Sequence, residues 1–245
     1  HMSKPIARKG RWMSDVERSL VHSKLLGALP ADRIADLDQR VRWRAYEPEQ
    51  TIIVAEDEGT DVYFVIKGEV RVTVYSETGK TVIISDLKAG DHFGEYAAID
   101  GRSRSASIVA LNRTLVAAMP AGMFHGLLET QPEIARDIMR GLAGAVRGLV
   151  ERVVEFSTLG VRNRIHAELL RLARAGRVVD GAGRVSPPPT HAEIAARIST
   201  HREAVTRELN QLERDGMLER TKGALVIRDL GQLAEMVENA RAGRS

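Results

Sequence analysis

The sequence predicts an α+β chain with an N-terminal antiparallel jelly roll, one long helix and a C-terminal winged helix-turn-helix domain. Three observations predict this fold. Short alternating apolar runs fill residues 41–119, a proline-free helical stretch follows Pro132, and two helix-start strings precede a short hairpin near the C-terminus. The 245 residues also exceed the roughly 100 to 150 of one typical domain, which favours two cores.

Composition narrows the class of protein. With 43% hydrophobic and 28% charged residues the chain is typical of globular proteins, and no apolar run approaches the ~20 residues that cross a bilayer. The basic start lacks the apolar segment of a secretory signal, and we attribute His1 and Met2 to cloning. We therefore expect a cytoplasmic protein with no membrane partner. The absence of cysteine excludes disulfides, thiolate zinc sites, iron–sulfur clusters and thiol catalysis.

Charge is distributed unevenly along the chain. Residues 160–228 hold 13 Lys and Arg against 8 Asp and Glu, whereas the net charge of the whole chain is only +3. This asymmetry indicates that the C-terminal part binds a polyanion. An arginine-rich, solvated surface would show the same asymmetry, so charge alone does not establish nucleic-acid binding.

The first element predicted is an N-terminal helix. The string Ser14–Glu17 has the Ser-x-x-Glu form of a capping box and precedes apolar positions Val21, Leu25 and Leu26, and the helix should end near Pro30. This helix opens the predicted first domain, residues 14–131.

The roll follows from about Val41 to Met119. Apolar side chains alternate over residues 62–66 and 70–74, and glycines recur at eleven-residue spacing at Gly68, Gly79 and Gly90. Short strands separated by regular turns are typical of an antiparallel jelly roll.

A helix of about 25 residues, ~38 Å long, is predicted from Pro132 to Phe156. Its apolar residues are spaced alternately by three and four, the seam of a two-stranded coiled coil: Met139, Leu142, Val146, Leu149, Val153 and Phe156. We interpret residues 132–157 as a homodimerisation helix; the alternative is that the seam packs on the roll of its own chain. Three glycines in the helix, at 141, 144 and 148, weaken it by very roughly 1 kcal/mol each relative to alanine.

The predicted third domain, residues 160–240, begins with a helix over Arg162 to Ala175, closed by a turn-rich stretch from Gly176 to Pro189. Two capping-box strings, Thr190–Glu193 and Thr200–Glu203, then open two short helices joined by a tight turn at Ile198 and Ser199. Residues 218–220 and 225–227 form a hairpin wing around Lys222 and Gly223, and Leu230 to Ala240 forms a final helix.

Helix-turn-helix units place the start of their second helix in the major groove. Arg202, Glu203 and Arg207 lie at that start and can point from one side. Arginine binds guanine O6 and N7 bidentately, and glutamate accepts from cytosine N4. For Glu203 the alternative is a bond back to the backbone of Thr200, and for the arginines it is a solvated helix face.

Residues 198–207, Ile-Ser-Thr-His-Arg-Glu-Ala-Val-Thr-Arg, resemble the recognition helix of the cyclic-AMP receptor and fumarate-nitrate regulator (CRP/FNR) family of bacterial transcription factors. The resemblance implies that Arg202, Glu203 and Arg207 contact bases of a palindromic TGTGA-like operator in double-stranded DNA, bound by a homodimer that also contacts RNA polymerase. The other DNA-binding positions that it implies are Thr190, His191, Thr200, His201, Thr206 and Lys222.

A second string, Gly94–Ala98 followed by Arg104–Ala106, suits an anion, because a glycine-led helix exposes N–H groups and an arginine fork fits phosphate oxygens. Taken alone, such a string is more often a solvated loop. It resembles the phosphate-binding cassette of the same family.

That second resemblance implies a cyclic nucleotide, cAMP or cGMP, bound as an allosteric ligand with no other cofactor. Arg104 and Ser105 would hold the cyclic phosphate, Glu95 the ribose hydroxyl, and Gly94 and Ala97 would allow close backbone approach. The further ligand-binding positions predicted are Ile84, Tyr96, Ala106, Leu149 and Val150.

Leu149 and Val150 depart from the cyclic-AMP receptor, which carries a threonine–serine pair there that bonds the adenine edge across the dimer. Leucine and valine side chains neither donate nor accept hydrogen bonds. The sequence therefore predicts relaxed selection between the two purines.

The same fold also suits other functions. In the alternatives, the roll senses haem, through His92, or an organic acid, or the regulator binds DNA without a ligand. An enzyme of cupin or phosphodiesterase type would need clustered histidines and carboxylates, whereas the seven histidines are dispersed, so we predict neither catalytic residues nor a metal site.

Overall fold

Two units make up residues 18–76 and 79–243, the part of the chain that the computed structural model describes. The first unit contains the described residues up to Val74 together with Ile84–Arg140, and the second contains the described part of Tyr75–Ile83 together with the residues from Gly141 onward. Within these described ranges no helix is both long enough and apolar enough to cross a bilayer.

The predicted N-terminal helix is wrong over its described part, and its capping string Ser14–Glu17 lies outside the described residues. A short 3-10 turn covers Leu20–His22 instead. The buried hydroxyl of Ser23 then accepts from the N–H groups of Leu25 and Leu26, which diverts both donors from helical bonds. The first α-helix, α1, is Ala31–Arg40, and it begins where the prediction placed a helix end, because Pro30 is tolerated before a first turn.

The predicted jelly roll is confirmed as eight strands in two four-stranded sheets. One sheet has the order β1-β8-β3-β6 and the other the order β2-β7-β4-β5. The strands are β1 Arg42–Tyr46, β2 Thr51–Ile53, β3 Val62–Lys67, β4 Glu69–Tyr75, β5 Thr81–Lys88, β6 His92–Phe93, β7 Ser107–Ala110 and β8 Thr114–Met119.

The roll closes around an apolar core in which the rings of Tyr63 and Phe93 stack with centroids 5.1 Å apart. Helix α2, Glu95–Asp100, connects β6 to β7, and α3, Ala121–Thr130, follows β8. Helix α3 was not predicted from the sequence; its start after Pro120 repeats the arrangement at Pro30.

The long helix predicted from Pro132 is present as α4, Pro132–Thr158. Five of its six seam residues are 38–65% exposed in the single chain: Met139, Val146, Leu149, Val153 and Phe156. The remaining seam residue, Leu142, is half-buried. A helix that leaves such a stripe uncovered presents an apolar face to solvent.

The second unit confirms the winged helix-turn-helix. Its elements are α5 Val161–Ala175, β9 Arg177–Val179, β10 Ala182–Val185, α6 His191–Arg197, α7 Arg202–Arg214, β11 Leu218–Thr221, β12 Ala224–Ile227 and α8 Leu230–Arg241. The stretch 176–189, predicted as turns, contributes β9 and β10 to a sheet of order β11-β12-β10-β9. The wing is therefore half of a four-stranded sheet.

Of the two predicted capping boxes, the first is present and the second is absent. Thr190 caps α6, because its side chain accepts from the N–H of Glu193 and the Glu193 carboxylate accepts from the N–H of Thr190. At the second string the box is wrong. Ser199 adopts a positive φ of 51°, the N–H of Thr200 donates to the carbonyl of Ala195, and α7 starts one residue later with His201 as its N-cap.

A buried ionic cluster ties the end of α4 to the rest of the second unit. Glu168 on α5 is 1% exposed and is paired with Arg152, 3.3 Å away, and with Arg171. Arg152 also donates to the carbonyl of Arg197 at the end of α6, over 2.9 Å. Because an unpaired buried charge is costly, this cluster fixes the last turns of α4 to the helix-turn-helix.

Candidate ligand cavity and nucleic-acid interface

The first unit contains a cavity of about 280 Å³ between the β4–β5 part of the roll and α2. Most of its lining is apolar, and Glu95, Arg104 and Ser105 contribute polar groups from the start of α2 and the segment after it. The lining residues are Ile53, Val72, Val74, Ile84, Ser85, Leu87, His92, Phe93, Gly94, Glu95, Tyr96, Ala97, Arg104, Ser105, Ala106 and Ile108.

Arg104 is the buried cation of this cavity, at 5% exposure. Its Nη1 donates to the carbonyl of Gly94 over 2.9 Å and its Nη2 to the carbonyl of Asp61 over 2.7 Å, and the guanidinium lies 5.8 Å from the centre of the Tyr63 ring. Burial lowers the pKa of Arg104, and the nearby Tyr63 and carboxylates such as Asp61 offset this only in part. The site therefore contains a positive charge that an anion would stabilise.

Gly94 has a structural reason to be glycine. Its φ is 86°, in the left-handed region, and a Cβ there would lie 2.7 Å from Nη1 of Arg104 and 2.9 Å from the carbonyl of Asp61. Gly94 therefore lies close to Arg104, and the close approach of its backbone to a ligand stays a prediction.

All eight ligand-binding residues predicted in the first unit line the cavity. Glu95 and Ser105 make no side-chain hydrogen bond to any other described residue, so both are available to a ligand. Leu149 and Val150 lie on α4 in the second unit, 65% and 57% exposed, and their predicted role stays a prediction.

Apart from Ile84, the strand residues of the lining were not predicted from the sequence, although a signal exists. Val72 and Val74 on β4, and Ser85 and Leu87 on β5, are two apart, as residues on one face of a strand must be. His92, considered only as a haem ligand, is also in the lining.

In the second unit the structure brings together the three predicted base-reading side chains. Arg202, Glu203 and Arg207 are exposed on the first two turns of α7. The capping alternative for Glu203 is wrong, because the N–H of Thr200 donates to the carbonyl of Ala195. The N-cap of α7 is His201, whose side chain makes no capping bond. No other described residue forms an ion pair with any of the three, and all three are free to meet DNA.

The remaining DNA-side predictions fall into two groups. His191 donates from Nδ1 to Thr206 Oγ1 over 2.7 Å, while that hydroxyl donates to the carbonyl of Arg202 over 3.0 Å, so both side chains join α6 to α7. Burial, with Arg220 and Arg202 nearby, lowers the pKa of His191. The other predicted contacts lie at the surface: His201 and Lys222 are exposed, Thr200 is half-buried, and Thr190 is the exposed cap of α6.

Behind α7 lies a buried histidine that the sequence analysis did not single out. His166 on α5 is 1% exposed, and its Nε2 donates to Glu208 Oε1 on α7 over 2.6 Å. Burial lowers the pKa of His166, and the bond to Glu208 offsets this only in part. The neutral imidazole thus holds α7 against α5.

This histidine predicts a loss of stability in mild acid. Its pKa in the folded chain lies below the ~6.5 of the unfolded chain, so as pH falls the unfolded chain binds the proton first. The free energy of unfolding should be fully maintained above pH ~6.5 and fall below it, by at most ~1.4 kcal/mol per pH unit from this group. Urea unfolding at pH 7.5 and 5.5 should show a smaller difference for His166→Gln than for the unchanged chain. Equal differences would contradict the prediction.

Comparison with known proteins gives matches to both units. Residues 43–131 match the cyclic nucleotide-binding domain, and residues 163–236 match the Crp-like helix-turn-helix domain. The cAMP-activated global transcriptional regulator CRP of Pasteurella multocida is 31% identical over 169 residues, which cover 69% of this chain and 81% of that protein. The transcriptional regulator SdrP of Thermus thermophilus is 30% identical over 182 residues, covering 74% and 86%.

A solved structure agrees with the fold. The c-di-GMP responsive global regulator CLP of Xanthomonas campestris matches with a TM-score of 0.68 at 19% identity, over 81% of this chain and 99% of CLP. The fold and the relatives together define a CRP-like DNA-binding transcription regulator with a cyclic nucleotide-binding domain. The chain belongs to the CRP/FNR family.

Proposed function

We propose that the protein is a homodimer in which a cyclic nucleotide, bound in the roll cavity, promotes binding to a palindromic TGTGA-like DNA site. The observation that carries the proposal is Arg104, a buried guanidinium that lines a ligand-sized cavity and donates to two backbone carbonyls but forms no ion pair with a carboxylate of the described residues. A cyclic phosphate carries one negative charge and presents two oxygens to such a fork.

Within the cavity, each polar group has a proposed partner on the nucleotide. Arg104 and Ser105 hold the phosphate, and Glu95 accepts from the ribose 2'-hydroxyl. The apolar strand residues Val72, Val74 and Leu87, which also line the cavity, are the proposed contacts of the purine. A volume of about 280 Å³, near the lower limit of ~300 Å³ for ligand sites, favours a nucleotide over haem. Protein purified with haem would show a Soret band.

Dimer formation rests on the exposed seam of α4. Two such helices side by side would remove the apolar stripe from water, at ~25 cal/mol per Å² buried. The ionic cluster around Glu168 fixes the end of the same helix to the helix-turn-helix of its own chain. A change in how the two α4 helices pair would therefore change the spacing of the two recognition helices.

The nucleotide acts by shifting an equilibrium between two arrangements of this dimer. A ligand shifts such an equilibrium only by its difference in affinity for the two states. In the DNA-competent state, the two α7 helices meet successive major grooves about 34 Å apart. Arg202 and Arg207 then read guanines, and Glu203 accepts from cytosine.

Calorimetric titration with cAMP and cGMP tests the ligand half of this proposal. We expect both to bind, with a preference for cAMP below a hundredfold, because Leu149 and Val150 supply no hydrogen bond that distinguishes adenine from guanine. Non-cyclic AMP is the control and should bind much more weakly.

Two results would count against these expectations. A cAMP preference of a hundredfold or more would overturn relaxed base selection and leave the cyclic-nucleotide proposal standing. Binding of neither cyclic nucleotide would contradict the proposal itself. Titration with c-di-GMP belongs in the same series, since the Xanthomonas neighbour responds to that ligand.

A further inference from the structure

A second, larger depression lies in the DNA-binding unit, between the first turn of α5 and the outer half of α7. It has a volume of about 610 Å³ and is lined by Arg162, Arg207, Glu208, Asn210, Gln211 and Arg214. Three of these six side chains are guanidinium groups and two are amides, and these five can donate hydrogen bonds. We call it the arginine groove.

The arginine groove has an excess of positive charge. Its one carboxylate, Glu208, is 12% exposed and accepts from Arg162 Nε over 3.1 Å and from His166 Nε2 over 2.6 Å. Arg214 donates only to the amide oxygen of Gln211, over 2.6 Å, and across residues 18–76 and 79–243 neither Arg207 nor Arg214 is paired with a carboxylate. Two of the three cations are thus uncompensated, and the third shares a carboxylate with a histidine.

The groove also continues the base-reading surface. Arg207, Gln211 and Arg214 are spaced by four and three along α7, so they follow one face of the helix. Arg214 lies ~10 Å beyond Arg207 along the helix axis. The major groove is ~12 Å wide, so a side chain that far from the base-reading arginine reaches the phosphates at its rim.

We propose that the arginine groove binds the DNA sugar–phosphate backbone beside each half-site, with Arg162 and Arg214 as phosphate contacts outside the base-reading set. The inference rests on the proposed DNA-binding function of α7. Arginine forks suit phosphate oxygens, and contacts of this kind fix the register of a protein on the duplex without reading sequence. Arg162 comes from α5, so the phosphate would be held from two helices at once.

Arg214→Gln tests the proposal, because Arg214 forms no ion pair in the described chain whose loss would complicate the result. Anisotropy titrations with a palindromic duplex and a random duplex, at several salt concentrations, give the slope of log K against log salt. Each lost phosphate contact lowers that slope by about 1, so two symmetric half-sites should lower it by about 2. The weakening should be equal on both duplexes. The pair Arg162→Gln with Arg214→Gln should lower the slope by about 4.

Two control variants separate the explanations. Arg174→Gln removes an exposed arginine from the far end of α5 and should leave the slope unchanged. Arg207→Ala should reduce the preference for the palindrome instead. If the unchanged protein does not prefer the palindrome over random DNA, the proposed function fails. If it does, and the double variant keeps the original salt slope, the arginine groove proposal is overturned.

Discussion

Replacing Arg104 with leucine is expected to abolish activation of DNA binding by the cyclic nucleotide while leaving weak, non-specific DNA binding intact. The guanidinium is the buried cation of the cavity, and hydrogen bonds to charged groups contribute about 1.5–3 kcal/mol each. Loss of a two-pronged contact to the phosphate should therefore cost ~3 kcal/mol or more, which is over a hundredfold in nucleotide affinity. Non-specific binding survives because it depends on the cations of the second unit.

Arg104 also has a structural role, so the experiment needs matched variants. Leucine leaves the carbonyls of Gly94 and Asp61 without their donor. Arg104→Lys keeps a charge in the cavity but cannot bind in two-pronged fashion, and it should show an intermediate loss. Arg102→Leu removes an exposed arginine two residues away and should have little effect.

Calorimetry gives the nucleotide affinity of each variant, and anisotropy with the palindromic duplex gives the activation. Circular dichroism establishes that each variant is folded. A folded Arg104→Leu protein that the nucleotide still activates would contradict the assignment of Arg104 to the phosphate.

The sequence predicted those elements whose apolar residues recur at a regular spacing. The first five residues of strand Val62–Lys67 are all buried in the roll, whereas the helix from Pro132 keeps its three-and-four spacing on a stripe that is exposed in the single chain. Strand β9 was missed because all three of its residues are exposed, so no period exists. It is a strand only because β10 pairs with it.

Local capping signals were less reliable, for a physical reason. A Ser or Thr hydroxyl can serve several backbone donors, and the tertiary structure decides which. Ser23 bonds to the two N–H groups that the predicted helix would have used, and the tight turn at Ser199 displaces the start of α7 to beyond Thr200. Thr190, with no competing turn before it, caps its helix as predicted.

The residues of the candidate sites also differ in whether the sequence could predict them. The cassette residues were predicted because their order along the chain resembles a family pattern, and they line one cavity. Except for Ile84, the strand residues of the cavity were missed, as was the arginine groove, since each depends on which faces of distant segments come together. Arg162 and Arg214, for example, are 52 positions apart in sequence.

The second large effect is expected on the seam of α4, where Val146→Asp should convert the dimer to a monomer. Val146 is 61% exposed in the single chain and lies in the middle of the six-residue stripe. In a paired seam the substitution would bring two carboxylates together in an apolar contact, and each must either lose its hydration or separate the helices. At micromolar protein concentration, separation of the two helices costs less free energy than desolvation of the two carboxylates.

The consequence for DNA binding should be larger than that of any single contact. When one recognition helix of a dimer is bound to one half-site, the other recognition helix is held near the second half-site at a high effective concentration. A monomer binds each half-site separately. We expect the affinity for the palindromic duplex to fall at least a hundredfold, toward the affinity for a single half-site. The cavity-lining residues of the roll are unchanged, so Val146→Asp alters assembly without altering Arg104 or Glu95.

Gly144→Asp provides the matched control because it introduces the same carboxylate on the opposite side of the same helix. A Cβ at Gly144 meets no other described atom within 4 Å. Sedimentation should give a dimer for the unchanged chain and for Gly144→Asp, and a monomer for Val146→Asp. A Val146→Asp protein that remains dimeric would place the dimer contact elsewhere, and the exposed stripe would then need a different partner. If Val146→Asp is monomeric yet retains full affinity for the palindrome, two recognition helices are not required, and the proposed symmetric recognition is wrong.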